Sequence, residues 1–372
     1  MFVPAPEEEA GKMPGEARDR TRGAPDLNEA RALFSARTLE TAPWLSAYYF
    51  LRDLIIYSAL SFAVLQTDSL LLLIPLWALL GLNILGLYQI GHDAAHGSLF
   101  RSPLVNYLVS QVSFLPCLHP HGKWRYGHNG IHHGNTVKLR GDLAWHPRSP
   151  ERYRQMKPWA RFLHRFYWSA WGAGPYYLIK MWLQGLIIFR APTRGATRDT
   201  VLVLIFACVF AGAAFAWGAS RSAAFDPVAG FWLVFKLQIM PFLIANYFLG
   251  VTVYIHHINP NIAWRGAETW TPYHGQIRGT TNYHVWGVVN FFIHNIFIHV
   301  PHHVEPAIPF YHLPRALEEL RERFGADIHE SKRFWRDYLA ATRSCKLFDA
   351  EKGEWRGYPD AGESEGDARI YS

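Results

Sequence analysis

Two long runs of apolar residues constrain the fold of this chain more than any other feature. Residues 70–90 and 200–220 contain no charged side chain, and each run supplies the roughly 20 apolar residues that a helix needs to cross a bilayer. Over the whole chain 50% of residues are apolar and 18% are charged, whereas soluble domains are about one quarter charged. Buried helices of a soluble α-protein are the alternative, but uncharged runs of this length favour membrane spans.

Two further stretches are nearly as apolar. Residues 44–66 are interrupted only by the adjacent pair Arg52 and Asp53, which we expect near one membrane interface, and residues 229–255 carry Lys236 close to one end. A lysine at the end of a span can extend its charged group toward the headgroups. We therefore predict an all-α, multi-pass membrane bundle with about four transmembrane helices.

The basic residues indicate how such a bundle is oriented. Between His119 and Asp199 there are fourteen Lys or Arg residues and three acidic ones, and a basic connection between spans marks the cytoplasmic face. Both termini are then cytoplasmic, with the bacterial inner membrane favoured, and no nucleic-acid partner is expected. Residues 103–118 and 167–189 are too short or too interrupted to span, so we predict interfacial helices that join a cytosolic cap.

Composition also divides the chain along its length. We expect a disordered polar leader at residues 1–40, a membrane domain at residues 41–340 and a polar C-terminal tail at residues 341–372. The leader is acidic and rich in Pro and Gly, a composition typical of disorder.

Eight of the nineteen histidines fall into three short boxes that together occupy only sixteen positions. The boxes read H-D-A-A-H, H-N-G-I-H-H and H-V-P-H-H, and their histidines are His92, His96, His128, His132, His133, His299, His302 and His303. Residues three or four apart project from one face of an α-helix. We therefore expect the histidines of each box to converge, and we expect the third helix to begin near Pro301.

The boxes follow apolar spans or lie in the basic block, so all three are predicted on one membrane face. Eight ligands are too many for one ion, and two ions that each keep open positions are the economical interpretation. Imidazole suits zinc, copper, iron and nickel, and iron is the usual choice where O2 is activated. A zinc protease is disfavoured because no H-E-x-x-H motif occurs, and carboxylates are too scarce for a ferritin-like site.

At this point the sequence resembles the membrane fatty acid desaturases, whose mark is three histidine boxes. The likeness extends to W-R-Y-G-H-N-G-I-H-H-G-N-T at 124–136, to H-N-I-F-I-H-V-P-H-H at 294–303 and to I-P-F-Y at 308–311. These runs look like the branch that acts at the Δ12 or ω-6 position of acyl chains.

This resemblance implies an O2-dependent di-iron enzyme that introduces a double bond into a fatty acyl chain linked to lipid, CoA or a carrier protein. It implies the eight box histidines as iron ligands and His257 as a candidate ninth. A separate electron donor, ferredoxin or cytochrome b5, is expected. Four residues are candidates for orienting the ligands from behind: Asp93, Asn129, His294 and Asn295.

Two other functions remain open from the sequence. The same histidines serve fatty acyl hydroxylases, acetylenases and carotenoid oxygenases, because a site that abstracts one hydrogen can either insert oxygen or remove a second hydrogen. A membrane metal-binding or transport protein is the non-enzymatic alternative. Such a protein needs ionisable residues along a pathway inside the spans, whereas these histidines follow the spans at one face.

Overall fold

The structure, a computed structural model, describes residues 26–190, 193–221 and 223–358. In these ranges the chain is mostly helical, which confirms the predicted all-α class. The α-helices, labelled in chain order, are α1 Leu27–Arg31, α2 Ala36–Leu39, α3 Pro43–Leu65, α4 Leu70–His96, α5 Pro103–Phe114, α6 His121–Arg125, α7 His133–Asn135, α8 Pro150–Arg154, α9 Pro158–Tyr167, α10 Ala173–Tyr176, α11 Arg194–Ala219, α12 Pro227–Val234, α13 Met240–His257, α14 Gly287–Ile293, α15 Val300–Val304, α16 Leu313–Phe324 and α17 Phe334–Ser344.

Wider and tighter helical turns connect some of these helices. The π-helical segments are Tyr126–His132, Tyr177–Ile188, Phe235–Ile239 and His274–Arg278, and the 3-10 turns are Phe310–His312 and Gly325–Asp327. Strand β1 (Thr281–Tyr283) pairs in parallel with β2 (His329–Ser331). Strand β3 (Leu347–Asp349) pairs antiparallel with β4 (Glu354–Arg356).

Four helices in the described ranges are long and apolar enough to cross a membrane, as the sequence predicts. They are Pro43–Leu65, Leu70–His96, Arg194–Ala219 and Pro227–His257. The last of these runs without a break through α12, a π-helical turn and α13. Helices α4 and α13 pack against each other, and both end in histidine residues.

Helix α4 extends further than the apolar run predicts. The sequence places the first histidine box after a span that ends at Ile90, but the helix continues through the box to His96. It ends because Gly97 adopts a left-handed conformation, with φ of 84°, which glycine tolerates better than other residues. The first box therefore lies on the last turns of the spanning helix itself.

The charged pair in the first span lies well inside the helix, and its position relative to the membrane interface stays a prediction. Arg52 and Asp53 lie near the midpoint of α3, not near one end, and the Asp53 side chain is fully buried. The position is tolerated because Asp53 pairs with Arg52 and His294 inside the protein, as charged residues inside spans generally do.

The expected leader and tail are partly folded. Residues 1–25 and 359–372 lie outside the described ranges. Residues 26–40 include α1 and α2. The apolar side chains of Leu27, Ala30 and Phe34 are buried in a cluster that also contains residues of α15 and α16. Residues 341–358 end in the β3–β4 hairpin, in which Leu347 and Phe348 are buried. The boundaries predicted at 40 and 341 therefore do not match the folded part.

The predicted interfacial stretches both contain helices. Residues 103–118 include α5, and residues 167–189 include α10 and the π-helical segment Tyr177–Ile188. Exposed apolar side chains follow one face of α5 at Leu104, Leu108 and Val112. This exposure supports an interfacial position, which stays a prediction.

We predict that Gly86→Ala destabilises the protein by about 1–3 kcal/mol, as overpacking does in other proteins. A Cβ atom at Gly86 would lie 2.0 Å from the carbonyl oxygen of Phe292 and 2.9 Å from Asp53 Oδ2, so α4 and α14 would have to separate. Gly212→Ala is the matched control, because nothing lies within 4 Å of its added Cβ. Thermal unfolding in detergent measures both, and equal melting temperatures would contradict this packing.

Candidate metal centre

Nine histidines from five parts of the chain meet at one end of the helical bundle. Eight of them form two groups of four, in each of which one ring nitrogen per residue lies within 4.8 Å of the others. Group A consists of His92, His96, His128 and His302. Group B consists of His132, His257, His299 and His303. His257, the predicted candidate for a ninth ligand, is therefore a full member of group B.

His133 lies between the two groups. Its Nε2 is 3.1 Å from Nε2 of His128 and 3.2 Å from Nε2 of His302 in group A. Its ring also stacks on His303 of group B, with the ring centroids 4.4 Å apart. The nine imidazoles thus form one continuous cluster.

The two groups do not correspond to the histidine boxes as the sequence predicts. We expected the histidines of each box to converge, but His128 and His132 belong to different groups, and so do His302 and His303. Adjacent residues on a helix point about 100° apart, so His302 and His303 diverge. The first box alone stays whole, because His92 and His96 lie one α-helical turn apart on α4.

Local backbone structure gives the second and third boxes their directions. Residues Tyr126–His132 form a π-helix, whose hydrogen bonds join residues five apart, and this brings His128 and His133 into contact. The third box begins at His299, the N-cap of α15, and Pro301 stands in the first turn as predicted. Asn282 Oδ1 accepts the N–H groups of both His299 and Val300 at 2.7 and 2.9 Å.

Four histidines are oriented by acceptors behind the cluster. Each donates its Nδ1–H: His92 to Asp93 at 2.8 Å, His132 to Asp142 at 2.8 Å, His303 to Gln276 at 2.8 Å and His257 to the Gly279 carbonyl at 3.0 Å. Carboxylate and carbonyl oxygens can only accept here, so the proton is held on Nδ1. The Nε2 lone pair of each of these rings then faces the cluster, as it does in metal-binding histidines.

Five histidines of the cluster are held in their neutral form. Burial lowers the pKa of five histidines outside the spans well below the ordinary value, and repulsion between neighbouring imidazoles acts in the same direction at His128, His133, His299, His302 and His303. Neutral imidazole is the form that coordinates metals. These five histidines therefore present unprotonated nitrogens at neutral pH.

The spacing of the nitrogens fits metal ligation. Within group A, Nε2 of His92 and His128 lie 3.1 Å apart, and within group B, Nε2 of His299 and His303 lie 3.0 Å apart. Two nitrogens at right angles around one ion, each about 2.1 Å from it, lie about 3.0 Å apart. In the described chain, His96 Nε2 is buried without a hydrogen-bond partner, and a bound cation would satisfy its lone pair.

The four residues predicted to orient the ligands have different surroundings. Asp93 contacts His92 as described above. Asn129 instead donates to the Ala95 carbonyl at 3.2 Å. Asn295 donates to the Phe310 carbonyl at 3.1 Å, and His294 is 2.5 Å from Asp53 Oδ2. These last three face helix ends and turns, so no hydrogen bond joins them to a clustered imidazole.

Three contributors to the cluster escape prediction from sequence. Asp142 and Gln276 hold imidazoles from a loop and from a π-helical turn, at positions that no local spacing relates to the boxes. His256 stacks on His299 with centroids 3.8 Å apart. Only the doublet His256–His257 in the sequence signals this contact, because the doublet ends a span on the same face as the boxes.

The comparison with protein families decides the class to which this site belongs. The model of the family described as fatty acid desaturase matches residues 69–334, a range that contains all nine clustered histidines. The chain belongs to the fatty acid desaturase family.

Relatives of this desaturase carry names from the Δ12 and ω-6 branch. The chain is 31% identical to an sn-1 oleoyl-lipid 12-desaturase of Picosynechococcus sp. over 78% of its own length and 81% of the relative's. It is 30% identical to a chloroplastic omega-6 fatty acid desaturase of Glycine max, covering 75% of this chain and 64% of the relative. An sn-1 acyl-lipid omega-3 desaturase (ferredoxin) of Nostoc sp. is 27% identical over 88% of this chain and 89% of the relative. The first two names agree with the branch that the motifs resemble, and the third is that of an omega-3 desaturase.

If each group holds one ion, removing one histidine per group has a defined effect on metal content. We predict about two irons per chain in the purified wild-type desaturase and about one in His128→Ala and in His299→Ala, because each change removes a nitrogen from a different group of four. His284→Ala is the control, since His284 pairs with Glu330 outside the cluster. Elemental analysis of monodisperse protein provides the measurement, and full iron content in both cluster variants would refute the two-group assignment.

We predict that Asp142→Asn weakens metal binding in group B by about 10- to 100-fold, the usual cost of losing a residue that orients a ligand. Asp142 accepts from His132 Nδ1, from Ala144 N and from Val137 N, and an amide NH2 group would face one of these donors. Asp199→Asn is the control, because Asp199 also accepts a backbone N–H but contacts no clustered histidine. Chelator competition that finds equal affinities in both variants would contradict the assignment.

Proposed function

We propose that this desaturase uses a pair of iron ions to introduce a double bond into the acyl chain of a membrane lipid, at a Δ12/ω-6-like position. The observation that carries the proposal is the pair of buried groups, each with four imidazole nitrogens, at the ends of spanning helices. Family membership and the names of the relatives support the same chemistry.

The proposed ligands are the nine clustered histidines. One ion is assigned to group A and one to group B, with His133 able to serve at the boundary. Imidazole also suits zinc, copper and nickel, so iron is favoured by the reaction that the family name implies and not by the donor set.

The overall reaction requires an oxidant and an external reductant. Two adjacent CH2 groups lose one hydrogen each, two electrons and two protons are supplied, and O2 is reduced to two molecules of water. The iron pair, when bound, supplies the activation of O2 that this reaction needs.

The residues of this chain orient the histidine ligands and limit the access of water to them. Asp93, Asp142 and Gln276 keep the Nδ1 protons on their histidine partners, so the Nε2 atoms face inward. The four histidines of group B are fully buried, whereas His96 and His128 of group A are partly exposed. Burial keeps bulk water from group B, and group A is the more exposed of the two groups.

The aromatic residues beside group A favour an apolar substrate. Trp124 stacks on His128 with centroids 4.4 Å apart and lies edge-on to His92 at 5.2 Å. Tyr88 and Phe114 pack around the same indole ring. These apolar surroundings suit an acyl chain, and the relatives' names specify acyl groups on lipids.

The electron donor is proposed to be a separate protein, with a ferredoxin favoured over cytochrome b5 because one relative's name specifies ferredoxin. We also propose that the cap and both termini face the cytoplasm, in a bacterial inner membrane. The fourteen basic residues between His119 and Asp199 support this orientation.

Expression in a host that makes only saturated and monounsaturated fatty acids, with ferredoxin and its reductase supplied, tests the proposed reaction. We expect a new diene, located by mass spectrometry of derivatised lipids. His132→Ala is expected to lower its yield by at least about 100-fold, since a ligand should matter no less than a residue that orients one, while His284→Ala retains activity. A hydroxylated product would contradict desaturation, and so would the absence of any product in cells that contain a functional electron donor.

A further inference from the structure

A buried ionic pair in the first span is not used by the proposed chemistry. Asp53 lies halfway along α3, and its side chain is fully buried. The side chain of its partner His294 is 2% exposed. An isolated carboxylate is costly inside a membrane protein and usually has a function there. The contacts of this pair lead directly to the metal centre.

Asp53 is fully satisfied by its neighbours. His294 Nε2 lies 2.5 Å from Asp53 Oδ2, while Arg52 donates to Oδ1 from Nε at 2.9 Å and from Nη2 at 2.7 Å. Gly86 of α4 allows this close approach, since any Cβ there would lie 2.9 Å from Oδ2. The pair therefore ties α3 to the turn that contains His294, beside α4.

His294 begins a strained turn that leads to the third histidine box. His294 and Asn295 both have left-handed backbones, with φ of 52° and 58°, a conformation that costs free energy for non-glycine residues. Asn290 Oδ1 accepts the Asn295 N–H at 2.9 Å. The Asp53–His294 contact is thus one of the interactions that hold this turn in place.

The turn connects to His92 through the I-P-F-Y segment. Asn295 Nδ2 donates to the Phe310 carbonyl at 3.1 Å, and the Phe310 N–H donates to Asp93 Oδ2 at 2.7 Å. The other oxygen of Asp93 accepts from His92 Nδ1 at 2.8 Å. Tyr49 of α3 packs edge-on against both His294 and Phe310, at 5.3 and 5.2 Å between centroids.

We propose that Asp53 and His294 are a positioning pair for His92. They fix the left-handed turn, the turn fixes the Phe310 backbone, and Phe310 fixes the carboxylate that orients the His92 imidazole. The inference rests on the proposed function, because it takes His92 as an iron ligand. It assigns the first span a role in metal binding, although that span carries no clustered histidine.

An ionic contact of a second buried side chain, Lys236, with the exposed Asp68 provides a control. Lys236 is 2% exposed and lies 2.8 Å from Asp68 Oδ1, where it also donates to the Thr67 carbonyl. This contact joins the α3–α4 connection to the fourth span, but no hydrogen bond leads from it to a clustered histidine. Lys236→Met should therefore lower stability without changing the metal centre.

The test uses iron-loaded, full-length protein in detergent. We expect Asp53→Asn and His294→Gln to change the Mössbauer signal of one of the two irons and to accelerate its release to a chelator by about 10- to 100-fold. The release of the other iron should stay unchanged. His294→Gln keeps the Arg52–Asp53 contact, so it remains informative if Asp53→Asn does not fold.

A double-mutant cycle tests the route through Asp93. If Asp53 acts through Asp93, the release rate of Asp53→Asn/Asp93→Asn should differ little from that of Asp93→Asn alone, because coupled residues are not additive. Multiplying effects would overturn the proposed route.

The remaining outcomes separate the two proposals. If Asp53→Asn and His294→Gln lower the melting temperature as Lys236→Met does, with unchanged Mössbauer signals and release rates, the pair is structural and this inference fails alone. If wild-type protein binds no iron, the proposed function fails and this inference fails with it.

Discussion

The structure depends on the burial of neutral imidazoles whose lone pairs face one another. Nine histidines are in contact, and in the described chain several of them have a buried ring nitrogen without a hydrogen-bond partner. Such a cluster destabilises a fold, because unsatisfied buried polar groups cost free energy. A bound cation between the rings removes this cost. The cluster is therefore understandable as a metal centre and hard to understand as a protein core.

The spanning helices and the short helices outside them each supply part of this centre. The spanning helices α4 and α13 deliver His92, His96 and His257 at their ends, where the apolar sequence gives way to polar residues. Short cap elements supply the other six, and each element is fixed by a specific device, such as the π-helical turn at Tyr126–His132 or the Asn282 cap of α15. Short helices have little stability of their own, so tertiary contacts must hold these ligands in place.

Sequence patterns predict those parts of the centre that depend on local geometry. The four spans follow from apolar runs, and the pairing of His92 with His96 follows from α-helical spacing. The split of His302 from His303 and of His128 from His132 depends on how the cap helices dock, which spacing within a box does not encode. Asp142 and Gln276 are absent from the prediction for a similar reason, since their contacts join segments that are distant in sequence.

The burial of the Arg52–Asp53 pair shows the same limit in the first span. A charged pair in an apolar run suggests a position near an interface, and only the tertiary contact with His294 explains its burial halfway along α3. Conversely, Leu27 and Ala30 lie three residues apart on α1 and are buried, although the composition of the leader is polar.

X-ray absorption spectroscopy of iron-loaded protein tests the central claim most directly, because it reports the atoms bound to iron without depending on turnover. The arrangement of two groups with four imidazoles each predicts a shell dominated by nitrogen, with the outer-shell scattering of about four imidazole rings per iron. A shell dominated by oxygen or sulfur, or a fit to one imidazole per iron or none, would contradict the account.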